Sequence, residues 1–87
     1  MPNERQIREL AWTVLRAGTL PRRDPDHTWG GYGVGTCCMI CDTPITQVQI
    51  EYEIHFVHDR ASPRVDRYAL HIRCFSAWEM ERTKPEK

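Results

Sequence analysis

The sequence predicts a small α+β domain, and three features carry that expectation. Its 87 residues allow one domain and no second, because domains run to about 50–250 residues. Its hydrophobic period changes along the chain from helical to alternating and back to helical. Three of its four cysteines and one histidine fall into two close pairs that flank the alternating stretch. A chain this short buries only about 60% of its unfolded surface. With 40% hydrophobic and 9% aromatic residues, it is expected to need a staple beyond its apolar core.

Residues 4 to 17, ERQIRELAWTVLRA, place Ile7, Leu10, Ala11, Val14 and Leu15 at helical spacing, with Arg5, Arg8, Glu9 and Arg16 mainly on the other side. This predicts an amphipathic helix packed on the domain's own core. Asn3 suits its N-cap, where a side-chain oxygen accepts from an unpaired first-turn amide, and Gly18 suits its C-terminal stop. Residues 19 to 36 hold two prolines and four of the five glycines, which predicts a loop with neither helix nor regular strand. Trp29 and Tyr32 are expected to pin that loop to the fold, since aromatic rings in a mobile loop leave apolar area in water. Gly31, Gly33 and Gly35 alternate, which does not fit the dinucleotide-binding fingerprint G-x-G-x-x-G.

From Val48 to His58 the period is two: Val48, Ile50, Tyr52, Ile54 and Phe56 alternate with Gln49, Glu51, Glu53, His55 and Val57. That is a strand with one buried face. Asp59 to Arg64, with Pro63, reads as a turn, and Val65 to Ile72 returns with Tyr68, Leu70 and Ile72 alike in parity, completing a hairpin. Cys74 to Arg82 lacks Gly and Pro and spaces Phe75, Trp78 and Arg82 along a second helix, leaving Glu79 and Glu81 for water, with Pro85 ending it. The expected organisation is therefore one domain made of a helix (1–18), a Gly-rich loop (19–36), a core (37–82) and a tail (83–87).

Twelve Lys plus Arg balance twelve Asp plus Glu, so no general electrostatic pull toward nucleic acid or anionic lipid operates and only a local patch could act. A mean hydropathy of −0.61, with no apolar run near about 18 residues, argues against a membrane-spanning helix. Glu4 and Glu9 stand where a signal peptide would be apolar. The expected location is cytoplasmic. Thiols persist in that reducing compartment, so the cysteines read as metal ligands before disulfides.

Cys38, Cys41, His71 and Cys74 form the pattern C-x2-C-x29-H-x2-C. Two-residue spacing lets a tight turn aim both donors at one point, and two such pairs supply the four tetrahedral positions that structural zinc prefers. Thiolate and imidazole donors favour Zn2+ over magnesium or calcium, while residue type alone leaves iron open. Asp42 follows the first pair where a knuckle turn often wants positive φ, which Asp tolerates. Cys74 is expected in the first turn of the second helix, where the positive helix end favours its thiolate. With four protein ligands no position stays open for a reacting water, so the expected ion is structural. Cys37 could replace Cys38 at a looser x3 spacing and otherwise reads as a spare thiol; His58 is a weaker alternative to His71, and His27 and His55 read as solvated. A knuckle, a hairpin and a helix-borne pair around one ion describe a treble-clef-like zinc finger.

At these residues the sequence resembles the zinc finger of poly(ADP-ribose) polymerases, in which C-x2-C is followed by roughly thirty residues and H-x2-C. The likeness runs from Cys38 to about Trp78, with Phe75 matching the aromatic after the last cysteine and the strand-rich insert matching the hairpin. The resemblance implies recognition of DNA ends through phosphate-contacting bases and exposed apolar residues.

The residues themselves point first to a non-enzymatic zinc-stabilised module that binds a protein partner or a second copy of itself. Its expected surface is the first helix with the aromatic loop, using Arg5, Arg8, Arg16, Trp12 and Trp29. The alternative is DNA or RNA binding through Arg22, Arg23, Arg60, Arg64 and Arg67, although Asp24, Asp26, Asp59 and Asp66 beside them would cancel much of the field. A metal-dependent nuclease of the HNH kind would share the frame, but the single asparagine, Asn3, lies far from any histidine-bearing strand. A zinc deaminase needs its H-x-E element before the C-x-x-C pair, and none is there.

Overall fold

A computed structural model describes residues 2–58 and 64–84. The elements run α1 (Glu4–Arg16), β1 (His27–Tyr32), β2 (Ile50–Val57), β3 (Val65–His71) and α2 (Ile72–Arg82). The strands form one antiparallel sheet in the order β1-β2-β3. The result is a small α+β fold of two helices and three strands.

Helix α1 starts where the sequence placed its cap: Asn3 accepts from the Gln6 N–H at 2.9 Å and the Gln6 side chain accepts from the Asn3 N–H at 3.0 Å. This reciprocal box satisfies two amides that lack intrahelical partners. The helix ends through Gly18 at φ 74°, with Gly18 N–H donating to Leu15 and Thr19 N–H to Val14, the paired bonds of a Schellman stop. Its buried stripe is Ile7, Ala11 and Leu15, with Leu10 and Val14 partly covered.

The loop expected over residues 19–36 is corrected in its second half, because His27–Tyr32 is strand β1. It pairs with β2 from His27 opposite His55 to Tyr32 opposite Ile50. Local propensity pointed the other way, but β2 has an edge whose amides and carbonyls need partners, and β1 supplies them. Glycine is tolerated there because the strand is an edge, and Gly30 lies under the Tyr52 ring, 3.5 Å from where its Cβ would stand. Tyr32, 74% exposed, does not pin this segment, whereas Trp29, half-exposed, packs on His55 of β2 with 4.3 Å between ring centroids. Asp26 holds it as well: its N–H donates to the His55 carbonyl and its carboxylate accepts from the Val57 N–H at 2.6 Å.

The expected hairpin is present with trimmed ends. β2 begins at Ile50, leaving Val48 exposed, and Ile72 opens α2 two residues before the predicted start. The turn residues Asp59 to Pro63 and the predicted stop at Pro85 lie outside the described residues. Ile54 and Phe56 of β2 and Leu70 of β3 face inward to meet Trp78, which packs edge-on to Phe56 with 6.3 Å between ring centroids. Each such fully buried large apolar side chain contributes about 1.5–3 kcal/mol. The segment before β1 is tied across the end of α2. Trp78 Nε1 donates to the Pro21 carbonyl, and Arg82 stacks on Trp78 while binding Glu79, Asp24 and the Arg22 carbonyl. The core also contains Cys38, Ile40, Ile45 and Cys74, so the knuckle is built into the apolar interior.

Candidate metal centre

The first pair sits on a closed turn. Cys38 N–H donates to Thr43 O and Asp42 N–H to Cys38 O, both at 2.9 Å, and Asp42 adopts φ 59° as its position predicted. Cys37 and Pro44 bridge just outside it. Met39 N–H donates to the Ala69 carbonyl, joining the knuckle to β3. At the end of β3 the chain passes directly into α2: His71 is the N-cap residue, and its ring makes no capping bond. Cys74 follows in the first turn of that helix.

These elements bring the donor atoms of Cys38, Cys41, His71 and Cys74 within 4.8 Å of one another. Tetrahedral zinc with bonds of about 2.3 Å to sulfur places its donors about 3.8 Å apart, so only a small contraction separates this cluster from a coordination shell. Cys38, Cys74 and His71 are 1%, 0% and 3% exposed, and Cys41 is half-buried. His71 turns Nδ1 inward, 3.3 Å from Cys41 Sγ, while Nε2 lies 3.1 Å from Gln49 Oε1.

The donor set fits a divalent soft-to-borderline cation. Backbone N–H groups of Ile40 and His71 donate to Cys38 Sγ at 3.4 Å, and Thr43 Oγ1 lies 3.1 Å from Cys41 Sγ, so charge on these sulfurs is already partly offset. The Cys38 thiol is drawn well below its usual range, first because Cys74 S–H donates to it and then because backbone amides point at it, against the effect of burial. The Cys74 thiol is pushed up by donating that bond, by burial, and by the charge of Cys38 and Cys41. The backbone donors go to Cys38, while Cys74 stands in the first turn of α2 as its position predicted. Three sulfurs this close shed all their protons only if a cation takes the charge. His71, Cys38, Cys41 and Cys74 would hold such an ion, and it would supply coordination bonds and no reacting group.

Cys37 is exposed and outside the cluster, so the x3 alternative is not the arrangement adopted. His58 is engaged elsewhere, its Nε2 lying 2.6 Å from Asp66. His27 is exposed, as expected. His55 is not solvated: its side chain is 13% exposed, it packs on Trp29 with 4.3 Å between centroids, and its Nε2 lies 3.1 Å from Glu53 without hydrogen-bond geometry. Gln49 and Thr43 touch the cluster although neither was singled out, because a polar residue in a turn carries no spacing signal.

Two arginines of the nucleic-acid alternative, Arg22 and Arg23, are engaged within the chain. Arg23 binds Asp26 and the Val57 carbonyl and lies over Phe56; Arg22 lies over Trp12; Arg64 pairs with Asp66 at 3.7 Å. Arg67 has no ion pair or hydrogen bond among the described residues, and Arg60 lies outside them. Trp12 is 39% exposed and Trp29 50%. No helix among the described residues is long and apolar enough to cross a membrane. Compared with known proteins, the chain matches no family model, no curated protein and no solved structure.

Proposed function

We propose that this chain is a non-enzymatic interaction module in which Cys38, Cys41, His71 and Cys74 hold a structural zinc ion in a treble-clef-like finger, and that its partner is a protein. The observation that carries the reading is a Cys3His cluster, three of its residues buried and Cys41 half-buried, with four protein donors in reach of one another. Four protein ligands leave no open position for a water or substrate. Zinc fits this set because it accepts mixed thiolate and imidazole donors at four-coordinate geometry and brings no redox chemistry.

The protein partner is favoured over nucleic acid by how the arginines are used. A phosphate-binding patch needs its guanidinium groups turned to solvent and free of carboxylates, whereas Arg22 and Arg23 are committed to contacts inside the chain and Arg64, although exposed, has the Asp66 carboxylate 3.7 Å away. Arg8 and Arg73 differ, having neither ion pair nor hydrogen bond among the described residues. Both line a groove of about 290 Å³ between α1 and α2, with Ile7 and Ala77 at its base, Ile72 and Met80 exposed along it, and Glu4 its one acid. The occupant this chemistry suits is a protein segment that presents an apolar side chain flanked by carboxylates.

The test is capture from nuclease-treated extract with the wild-type chain and with a variant carrying Arg8→Glu and Arg73→Glu. A partner retained after nuclease treatment and lost with the double variant supports the reading. Captured material that vanishes with nuclease, or binding to short DNA or RNA that falls steeply with salt, replaces it with the nucleic-acid reading and the polymerase-finger likeness.

A further inference from the structure

We infer that Gln49 is the positioning residue of the metal centre: it holds the proton of His71 on Nε2 and so makes Nδ1 the ligand atom. This rests on the metal reading above and goes beyond it, since the C-x2-C-x29-H-x2-C pattern assigns Gln49 no role.

An amide side chain has an oxygen and a nitrogen of nearly equal shape, so its orientation follows from its partners. Here one partner leaves no choice. The Thr46 backbone N–H lies 2.9 Å from the Gln49 side-chain atom, and a backbone N–H can only donate. The atom facing it is therefore Oε1, an acceptor. The same oxygen lies 3.1 Å from His71 Nε2, and two acceptors would repel at that distance. Nε2 must donate and must carry the proton. A neutral imidazole has one N–H, so Nδ1 presents its lone pair, and Nδ1 is the nitrogen turned toward Cys41 Sγ.

Gln49 can impose this because it is itself fixed. Its N–H donates to the Thr46 carbonyl and its carbonyl accepts from Gly33 N–H, each at 3.0 Å. Residues 46–49 thus form a turn closed through both backbone and side chain. Gly33 presses against the carbonyls of Ile45 and Thr46 so closely that a Cβ would stand 2.3–2.4 Å from their oxygens. The turn cannot shift toward Gly33, and Oε1 stays at the end of the imidazole. A neutral amide also adds no charge. Three thiolates around Zn2+ already carry a net −1, and a carboxylate in this place would deepen it. Such outer partners fix ring orientation, and losing one typically weakens metal binding 10–100-fold.

The experiment uses the zinc-loaded full chain with 15N-labelled histidine. Wild type is expected to show a His71 ring with Nδ1 shifted by metal and a slowly exchanging proton on Nε2. With Gln49→Leu that proton is expected to exchange rapidly with water, and zinc retention against a competing chelator to fall about 10–100-fold. Gln49→Glu, which keeps an acceptor in place, is expected to restore the protected proton. A wild-type spectrum with the proton on Nδ1 and the metal on Nε2 overturns the inference without any variant. So does a Gln49→Leu chain that keeps both the protected proton and its zinc affinity. A wild-type chain that takes up no zinc overturns the metal reading and this inference together, so the two failures are distinguishable.

Discussion

Cys37 and Cys38 are neighbours in sequence, yet only the second turns its sulfur into the core. Cys38 Sγ meets two backbone amides and the other donors, while Cys37 faces solvent. The three-residue contrast this sets up is direct. Cys41→Ser and Cys74→Ser each remove one of four coordination bonds, and both are expected to lose stoichiometric zinc and to aggregate. Cys37→Ser is expected to stay within about 0.5 kcal/mol of wild type, as exposed substitutions usually do. Zinc content by elemental analysis and the thermal midpoint check all three; equal damage from each would mean that Cys37 is a ligand. The four donors were legible in the sequence because their spacing is a local property of the chain. Gln49 was not, since its partner His71 is 22 residues away and nothing in a V-Q-I stretch announces a bond across that distance.

Among the elements, α1 follows its sequence almost to the residue, since a capping box, an apolar stripe and a glycine stop are all encoded within a few positions. β1 is the opposite case. Its six residues, HTWGGY, have no buried side chain, and their extended form is imposed by pairing with β2. Asp26 is the residue that starts this pairing. Its carboxyl is held below the usual carboxylate range, first by the Val57 N–H and then by Arg23. A carboxyl whose folded value is depressed stabilises the fold at every pH above the ordinary value and loses that contribution only as pH falls through its folded value. Asp26→Ala is therefore expected to lower the thermal midpoint by a constant amount between about pH 5 and pH 8. Thermal scans across that range check this, and a difference that closes before pH 5 would show that the Asp26 carboxyl is not depressed.

At the scale of the whole molecule, the protein is a thin plate of 39 × 36 × 16 Å. Its interior is one layer of large side chains between helices and sheet, and three of the four candidate ligands are part of that layer. Removing the metal would leave three crowded sulfurs, two of them fully buried in an apolar core. Where a site forms only with the fold, binding free energy is folding free energy. Chelation is thus expected to abolish most of the far-ultraviolet circular dichroism, with recovery on adding zinc; a chelated chain with an unchanged spectrum would show that the core stands without the ion. The ligand spacing, both helices and the hairpin follow from short-range rules, because capping, periodicity and two-residue metal pairs involve atoms that the chain holds close whatever the rest does. The edge strand, the Arg23 contacts to Val57 and Phe56, and the Gln49 contact to His71 arise from groups far apart in sequence. Their free energy exists only once packing has brought those groups together, so no local pattern could encode it.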